Sequence, residues 1–258
     1  DRSRGLGDVY KRQIQLREFD VLKSTNETAV AMAQEGAPEG TVIVAARQEG
    51  GHGRMQRVWS SPLGGLWFTV ILRPQIDPQY AAQITLLAGV AVAKAVRRLY
   101  DTESVQIKWP NDLLLDGKKI CGILSELQLD ENGVIDYAIV GIGVNVALSA
   151  ADFPAEVAAT ATSLNTSLHK DFTCEQVLVA IMEDFGILYD KWLLLGADVV
   201  MKEWQKLNCT VGKHVLVKDN DQVVFAGTVI DVDEEGAIIV RNEQGIVQSF
   251  NFGEISIR

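Results

Sequence analysis

Ten consecutive residues, GGHGRMQRVW at positions 50–59, combine three glycines with two arginines, a histidine and a tryptophan. Glycine frees backbone amides that can converge on an anion, and Arg54 and Arg57 can add forked, charge-assisted hydrogen bonds to a phosphate. The segment fits neither GxxxxGK[ST] nor GxGxxG, so the common nucleotide-binding patterns are not met. Taken alone, it predicts either an anion-binding loop or a solvated turn, with His52 as a loop side chain rather than a metal ligand.

A second group of polar residues lies in KWPNDLLLDGKKICG, at positions 108–122. Lys108 and Lys119 can neutralise phosphate or carboxylate groups, while Asp112 can hold Mg²⁺ or orient an incoming amine. In the competing interpretation, Asp112 caps a turn and both lysines are solvated. The spacing leaves both interpretations open.

Two shorter polar groups lie at the ends of regular elements. GIGVN, at positions 141–145, ends a strand with glycines that allow close approach of a ligand, and Asn145 can both donate and accept hydrogen bonds. STN, at positions 24–26, begins a helix and can bind a small polar group, although N-capping explains Ser24 equally well. Gln48 ends a strand where the floor of a pocket is expected. Trp59 either stacks on a purine or fills the core.

Composition limits the classes of function. A formal charge of −10 disfavours wholesale binding to nucleic acid. Cys121, Cys174 and Cys209 lack metal-type spacing, and the sequence shows no unbroken apolar run of the ~18 residues typical of a membrane span. These features predict a cytoplasmic enzyme or binding protein. No Ser-His-Asp or Cys-His set stands out, so the anion-binding residues favour nucleotidyl transfer by positioning and electrostatics.

Hydrophobic periodicity predicts an α+β fold, a mixed β-sheet flanked by helices. Helices are expected from STN to Gly36 and over positions 80–100, 172–195 and 199–207, and Asp116-Gly117 and Asn132-Gly133 predict the hairpins of an antiparallel meander. After Cys209, short alternating strands predict a small β-barrel. The predicted strands are IQLREFDVL, TVIVAARQ, LWFTVILRP, VQIKW, DLLL, KKICGILSELQL and VIDYAIVGIGVNV, followed by HVLVKD, VVFAGTVIDVD, AIIVRN and IVQSFNF.

Three segments are expected along the chain. Residues 1–13 show no periodicity and are interpreted as a non-native or disordered leader. Residues 14–208 form the predicted catalytic domain, and residues 209–258 form the predicted C-terminal domain.

The four polar groups, in this order and spacing, resemble those of the biotin protein ligases. The resemblance extends from Ile14 to Arg258 and rests on STN, RQEGGHGRMQRVWSSPLGGLWFTVILRP, KWPNDLLLDGKKICGILSEL and GIGVN. It implies a class II synthetase-like catalytic domain with an SH3-like C-terminal barrel. The implied partner is a biotin carboxyl carrier protein domain, with a homodimer possible and neither DNA nor membrane bound.

The family reaction has two steps. The biotin carboxylate attacks the α-phosphate of Mg²⁺-bound ATP, and a carrier lysine then attacks the biotinyl-adenylate. The resemblance implies that Asp112 orients or deprotonates that lysine, and it implies magnesium held mainly through the phosphates. The matching positions are Arg54, Lys108, Asp112 and Lys119 for catalysis; Ser24, Thr25, Asn26, Gln48, His52, Gly53, Arg54, Lys119 and Gly122 for biotin; and Gly51, Arg54, Arg57, Trp59, Lys108 and Asn145 for ATP and the adenylate.

The chain departs from a familiar form of the glycine-rich loop, GRGRxGR. His52 replaces the first arginine, and Met55-Gln56 replaces the pair between the last two arginines. Arg54 and Arg57 remain, so activity is still expected and only the retention of the adenylate is in question. The alternatives are a lipoate or octanoate ligase of the same fold and a biotin-binding regulatory protein that does not turn over.

Overall fold

The structure is a computed structural model that describes residues 14–219, 222–251 and 254–257. The leader expected at positions 1–13 lies outside the described residues.

A seven-stranded mixed sheet forms the body of the molecule, in the order β1-β2-β3-β7-β6-β5-β4. β1 and β2 are parallel, while the remaining neighbours are antiparallel. The consecutive strands β4 to β7 form the expected meander, and the mixed sheet flanked by helices confirms the predicted α+β class. The strands are β1 (Gln15–Leu22), β2 (Thr41–Gln48), β3 (Leu66–Leu72), β4 (Val105–Lys108), β5 (Asp112–Leu115), β6 (Lys118–Leu129) and β7 (Ile135–Val144).

Helices cover both faces of this sheet. On one face, α1 packs its alanines on Ile43, Ile71 and Ile139 of the central strands. On the other face, the apolar α2 lies in the main core with α4 and α5. The helices are α1 (Thr25–Gln34), α2 (Ala82–Tyr100), α3 (Leu164–Leu168), α4 (Cys174–Leu195) and α5 (Asp198–Leu207).

Local sequence signals account for the helix ends. Ser24 caps α1 by accepting the Glu27 amide, and Thr173 forms a capping box with Gln176 at the start of α4. The segment from Pro78 to Tyr100 is apolar and long enough to cross a membrane, but 67% of its most apolar window is buried inside the protein. Its apolarity is therefore explained by its position in the core.

The C-terminal region forms a five-stranded antiparallel sheet in the order β11-β10-β9-β8-β12. It contacts the first region through Trp109, whose indole donates to the Gly236 carbonyl at 2.9 Å and whose backbone amide donates to Thr210 at 2.9 Å. Closure of this sheet into an SH3-like barrel, and a boundary at residue 208, remain predictions. Its strands are β8 (His214–Asp219), β9 (Gln222–Val232), β10 (Ile238–Arg241), β11 (Val247–Phe250) and β12 (Glu254–Ile257).

Candidate active site

One cleft of about 570 Å³ brings together residues from all four polar groups of the sequence. It lies beside the start of α1 and the ends of β4, β6 and β7, under the glycine-rich segment. Every site residue predicted from the sequence except Gly51 lines it. These residues are Ser24, Thr25, Asn26, Gln48, His52, Gly53, Arg54, Arg57, Trp59, Lys108, Asp112, Lys119, Gly122 and Asn145.

The start of α1 forms a buried polar end of the cleft. Gln48 at the end of β2 accepts two hydrogen bonds through Oε1, from the Thr25 amide at 2.7 Å and from the Thr25 hydroxyl at 3.0 Å. Its Nε2 donates to Ser61 Oγ at 2.9 Å. Since Ser24, Thr25 and Ser61 are each no more than 5% exposed, these bonds form in a largely water-excluded environment.

Asn26 is held by the protein on both sides of its amide. Its Nδ2 donates to Glu126 at 2.8 Å and to the Leu124 carbonyl at 3.3 Å. Thr69 Oγ1 lies 2.7 Å from Asn26 Oδ1. Both amide hydrogens are therefore committed, and Asn26 can offer a ligand only the remaining lone pair of Oδ1. Gly141 allows this arrangement, because a Cβ there would lie 2.1 Å from Asn26 Oδ1.

The glycine-rich segment folds back on itself as an arm over the cleft. Gln48 forms an antiparallel bridge with Ser61, and His52 forms another with Val58. The backbone of His52 therefore helps to pair the two halves of the arm. Its ring nitrogen Nδ1 lies 3.4 Å from the Gly50 carbonyl oxygen.

The tip of the arm is strained. It is a single turn over Arg54–Gln56, in which Met55 and Gln56 both have left-handed backbone conformations, with φ of 55° and 58°. Gln56 occupies the position where the familiar family loop has its third glycine, so a conformation suited to glycine is imposed on a larger residue.

Gly51 is part of the arm, but it does not line the cleft. A Cβ at Gly51 would lie 2.7 Å from both Ser61 Oγ and the Trp59 carbonyl, and 3.0 Å from Gln48 Nε2. Packing alone thus requires glycine here, and direct contact of Gly51 with a nucleotide stays a prediction.

Trp59 lies on a shelf made by two paired glycines. Gly122 of β6 and Gly143 of β7 are cross-strand partners, and a Cβ on either would come within 3.0 Å of the indole. The ring packs edge-on against Trp67, and the Lys119 ammonium lies 5.0 Å from its centroid. The last glycine of GIGVN is therefore needed for close approach of a protein side chain, and the indole is positioned at the cleft.

A β-bulge turns Lys119 toward the cleft. Leu113 pairs with Cys121, but the next residue, Leu114, pairs with Lys119, so β6 skips Ile120. Side chains alternate between the two faces of a strand, and this skipped residue places Lys119 on the same face as Asp112. Their charged groups lie 2.6 Å apart, with both side chains partly buried.

Asn145 connects Lys119 with the loop that contains Thr160 and Thr162. Thr160 in this loop lines the cleft. The Nδ2 of Asn145 donates to the Thr162 carbonyl at 3.0 Å and to the Lys119 carbonyl at 3.4 Å. The Lys119 amide donates to the Thr160 carbonyl at 2.8 Å. With its amide hydrogens used in this way, Asn145 supports the wall of the cleft, and its contact with an adenylate remains a prediction.

The cleft is more positive than the protein as a whole. Four basic side chains and two carboxylates line it, although the chain carries a formal charge of −10. This reversal of sign favours an anionic ligand. Within the described residues, no cluster of three or more His, Cys, Asp or Glu side chains could hold a metal ion. The basic residues are Arg54, Arg57, Lys108 and Lys119, and the acidic residues are Asp112 and Glu156.

Sequence reasoning missed several residues that build the site. Thr69 gave a signal, because it is the single polar residue in the buried strand LWFTVIL. Ser61 and Glu126 gave none, since their partners are distant in sequence or lie on the other side of the glycine-rich arm. The cleft-lining residues Phe153, Glu156 and Thr160 were also missed.

Two family models match the chain. Residues 18–145 match the Biotin/lipoate A/B protein ligase family, and residues 210–258 match the Biotin protein ligase C terminal domain. The fold and these matches define a protein ligase of the biotin/lipoate class.

Individual relatives narrow that class. The chain is 37% identical to the bifunctional ligase/repressor BirA of Bacillus subtilis, over 90% of the chain and 71% of that protein. It is 30% identical to the biotin--[acetyl-CoA-carboxylase] ligase of Paracoccus denitrificans, over 86% of the chain and 92% of that protein. A solved structure of biotin protein ligase from Aquifex aeolicus in complex with biotin and ATP superposes with a TM-score of 0.80 at 27% identity, covering 95% of this chain and 98% of that one. The chain therefore belongs to the biotin protein ligase family, whose members are ligases.

Proposed function

We propose that this chain uses ATP to attach biotin to a specific lysine of a biotin carboxyl carrier protein domain, with biotinyl-5'-AMP as the intermediate. The observation that carries the proposal is one cleft that joins a buried polar end to a group of four cations, one of which, Lys119, is paired with Asp112. This arrangement suits a ligand with a polar ring at one end and two anionic groups at the other.

In the first step, the polar end fixes the biotin head group and the cations hold the two reacting anions. The biotin carboxylate attacks the α-phosphorus of ATP, the bond between the α-phosphorus and the bridging oxygen breaks, and pyrophosphate leaves with the electron pair. A carboxylate and a triphosphate repel one another, so Arg54, Arg57, Lys108 and Lys119 must offset the charge as they approach. Magnesium arrives as part of the nucleotide substrate, where it supplies further charge on the phosphates.

Lys119 and Asp112 link the two steps. A substrate carboxylate or acyl-phosphate competes with Asp112 for the Lys119 ammonium, and this competition releases the Asp112 carboxylate. Asp112 is then available to accept a proton from the incoming carrier lysine, which is charged near neutral pH. The acyl carbon is attacked by the neutral amine, the bond to AMP breaks, and AMP leaves with the electron pair.

The carrier is expected to belong to a biotin-dependent carboxylase. A cytoplasmic location agrees with three free cysteines at positions 121, 174 and 209.

The deciding experiment is exchange of labelled pyrophosphate into ATP in the presence of biotin, lipoate or octanoate, followed by transfer to an apo carrier domain. Exchange with biotin and labelling of one carrier lysine are expected. Exchange with lipoate or octanoate alone would assign the sister activity. Binding of biotin without exchange would assign a regulatory protein without turnover.

A further inference from the structure

Ser61 connects the polar end of the cleft to the base of the glycine-rich arm. Its hydroxyl accepts from Gln48 Nε2 at 2.9 Å and donates to the Trp59 carbonyl at 3.1 Å. The backbone carbonyl of Ser61 also accepts a hydrogen bond from the backbone N–H of Gln48 at 3.1 Å. Ser61 is 5% exposed, so water has little access with which to replace these bonds.

The donors and acceptors in these bonds fix the orientation of the Gln48 side-chain amide. Oε1 faces two donors of Thr25, and Nε2 faces Ser61, whose own hydrogen points to a carbonyl that can only accept. A hydroxyl that donates to Trp59 has only lone pairs left for Gln48. If the amide were reversed, Gln48 would present a donor to the Thr25 amide and an acceptor to the Ser61 lone pairs.

The geometry points to Ser61 as a positioning residue that acts through Gln48 on recognition of the polar head group, an assignment that rests on the proposed function. Ser61 does not line the cleft, so it cannot act by touching the substrate. Gly51 is part of the same device, because any side chain at that position would occupy the space of the Ser61 hydroxyl.

The test is a double-mutant cycle on the biotin KM in pyrophosphate exchange, with S61A, Gln48→Met and the double variant. Loss of a buried hydrogen bond typically changes an equilibrium by roughly tenfold, so S61A is expected to raise the biotin KM by about that factor with a smaller change in kcat. The double variant is expected to match Gln48→Met alone. Additive effects, or an unchanged biotin KM in S61A, would overturn the assignment.

A matched control separates positioning from stability. The Thr41 hydroxyl is buried at 1% exposure and donates to the Pro38 carbonyl at 2.8 Å, at the opposite end of β2. Thr41→Val removes a similar bond and is expected to lower Tm without raising the biotin KM. If Thr41→Val raises the biotin KM as much as S61A does, the effect is one of general stability and the positioning role is wrong.

A second readout needs no catalysis. The side-chain amide of Gln48 is observed by NMR in protein labelled with ¹⁵N-glutamine, and it is assigned by its loss in Gln48→Met. The Nε2 hydrogen that donates to Ser61 is expected to exchange slowly with solvent in the wild type and faster in S61A, because it loses its partner. An unchanged rate of hydrogen exchange in S61A would contradict the role of Ser61. Normal protection in a protein that shows no pyrophosphate exchange would instead contradict the proposed function.

Discussion

The Lys119 ammonium lies 2.6 Å from the Asp112 carboxylate because β6 skips one residue where it pairs with β5. The pair lies in the cleft, next to Trp59 and the glycine shelf. A regular ladder would turn Lys119 toward the opposite face of the sheet, so the bulge is what places a cation and a proton acceptor side by side.

Replacing Asp112 is expected to separate the two half-reactions. In Asp112→Asn, transfer of biotin from the adenylate to a carrier lysine should slow by roughly 10²-fold or more, the usual contribution of a general base, while pyrophosphate exchange is retained. Single-turnover transfer from preformed biotinyl-adenylate measures the first quantity. Asp116→Asn, on the nearby hairpin turn, is the control and should leave both steps unchanged. Equal losses in both half-reactions of Asp112→Asn would refute a base confined to the second step.

A methyl group at Gly143 is expected to displace Trp59. Its Cβ would lie 2.6 Å from the indole nitrogen, so Gly143→Ala should cost on the order of 1–3 kcal/mol of stability through overpacking and should shift the tryptophan fluorescence. Urea unfolding measures the loss. Gly89→Ala is the matched control. Gly89 lies within α2, where alanine is favoured, and the atom nearest to its added Cβ would be 3.7 Å away. A stable Gly143→Ala with unchanged fluorescence would contradict the packing argument.

The tip of the arm should tolerate glycine better than its own residue. Gln56 has φ of 58°, a conformation that costs a non-glycine residue about 1 kcal/mol. Gln56→Gly is therefore expected to keep or raise Tm, while Gln56→Val should lower it because a branched side chain fits this region poorly. Differential scanning calorimetry gives both values. If the valine variant were as stable as the glycine variant, the left-handed conformation would not persist in solution.

The contact between Asn26 and Glu126 predicts a rescue. Asn26→Asp replaces the Nδ2 donor, which lies 2.8 Å from Glu126, with a carboxylate oxygen. The variant should lose roughly 1–3 kcal/mol of stability, because the hydrogen bond to Glu126 is lost and two like charges repel. Glu126→Gln in the same chain restores a donor and should recover most of the loss. Urea midpoints of the two single variants and the double variant provide the test. No recovery in the double variant would show that the two side chains are not coupled.

Burial of Cys121 predicts both its reactivity and a pH effect. Burial raises the pKa of its thiol, an effect that the nearby Lys119 charge partly offsets. Iodoacetamide at about pH 8.5, the ordinary thiol pKa, should leave Cys121 unmodified in the folded protein and modify it in urea. Since the folded pKa lies above the unfolded value, this group's contribution to stability is intact below the unfolded pKa and declines as the pH rises above it. Mass spectrometry of the modified peptides tests the first statement, and Cys121→Ala should reduce the alkaline loss of stability.

The sequence by itself determined the types of the elements and the residues from which the site is built. Alternation and helical spacing predicted the strands and α2, because burial of one face imposes a local period. Ser24 and Asp116-Gly117 likewise determined a cap and a turn through contacts within a few residues.

Only the tertiary structure decided which polar groups are still available to a ligand. Asn26 reaches Thr69 and Glu126 across 43 and 100 residues, and Lys119 faces the cleft because of a bulge against another strand. Hydrogen-bond partners of this kind depend on strand order and register, which local patterns do not encode. For that reason Asn26 was recognised as a site residue from its position in STN, while the commitment of its amide to the protein became visible only in the folded sheet.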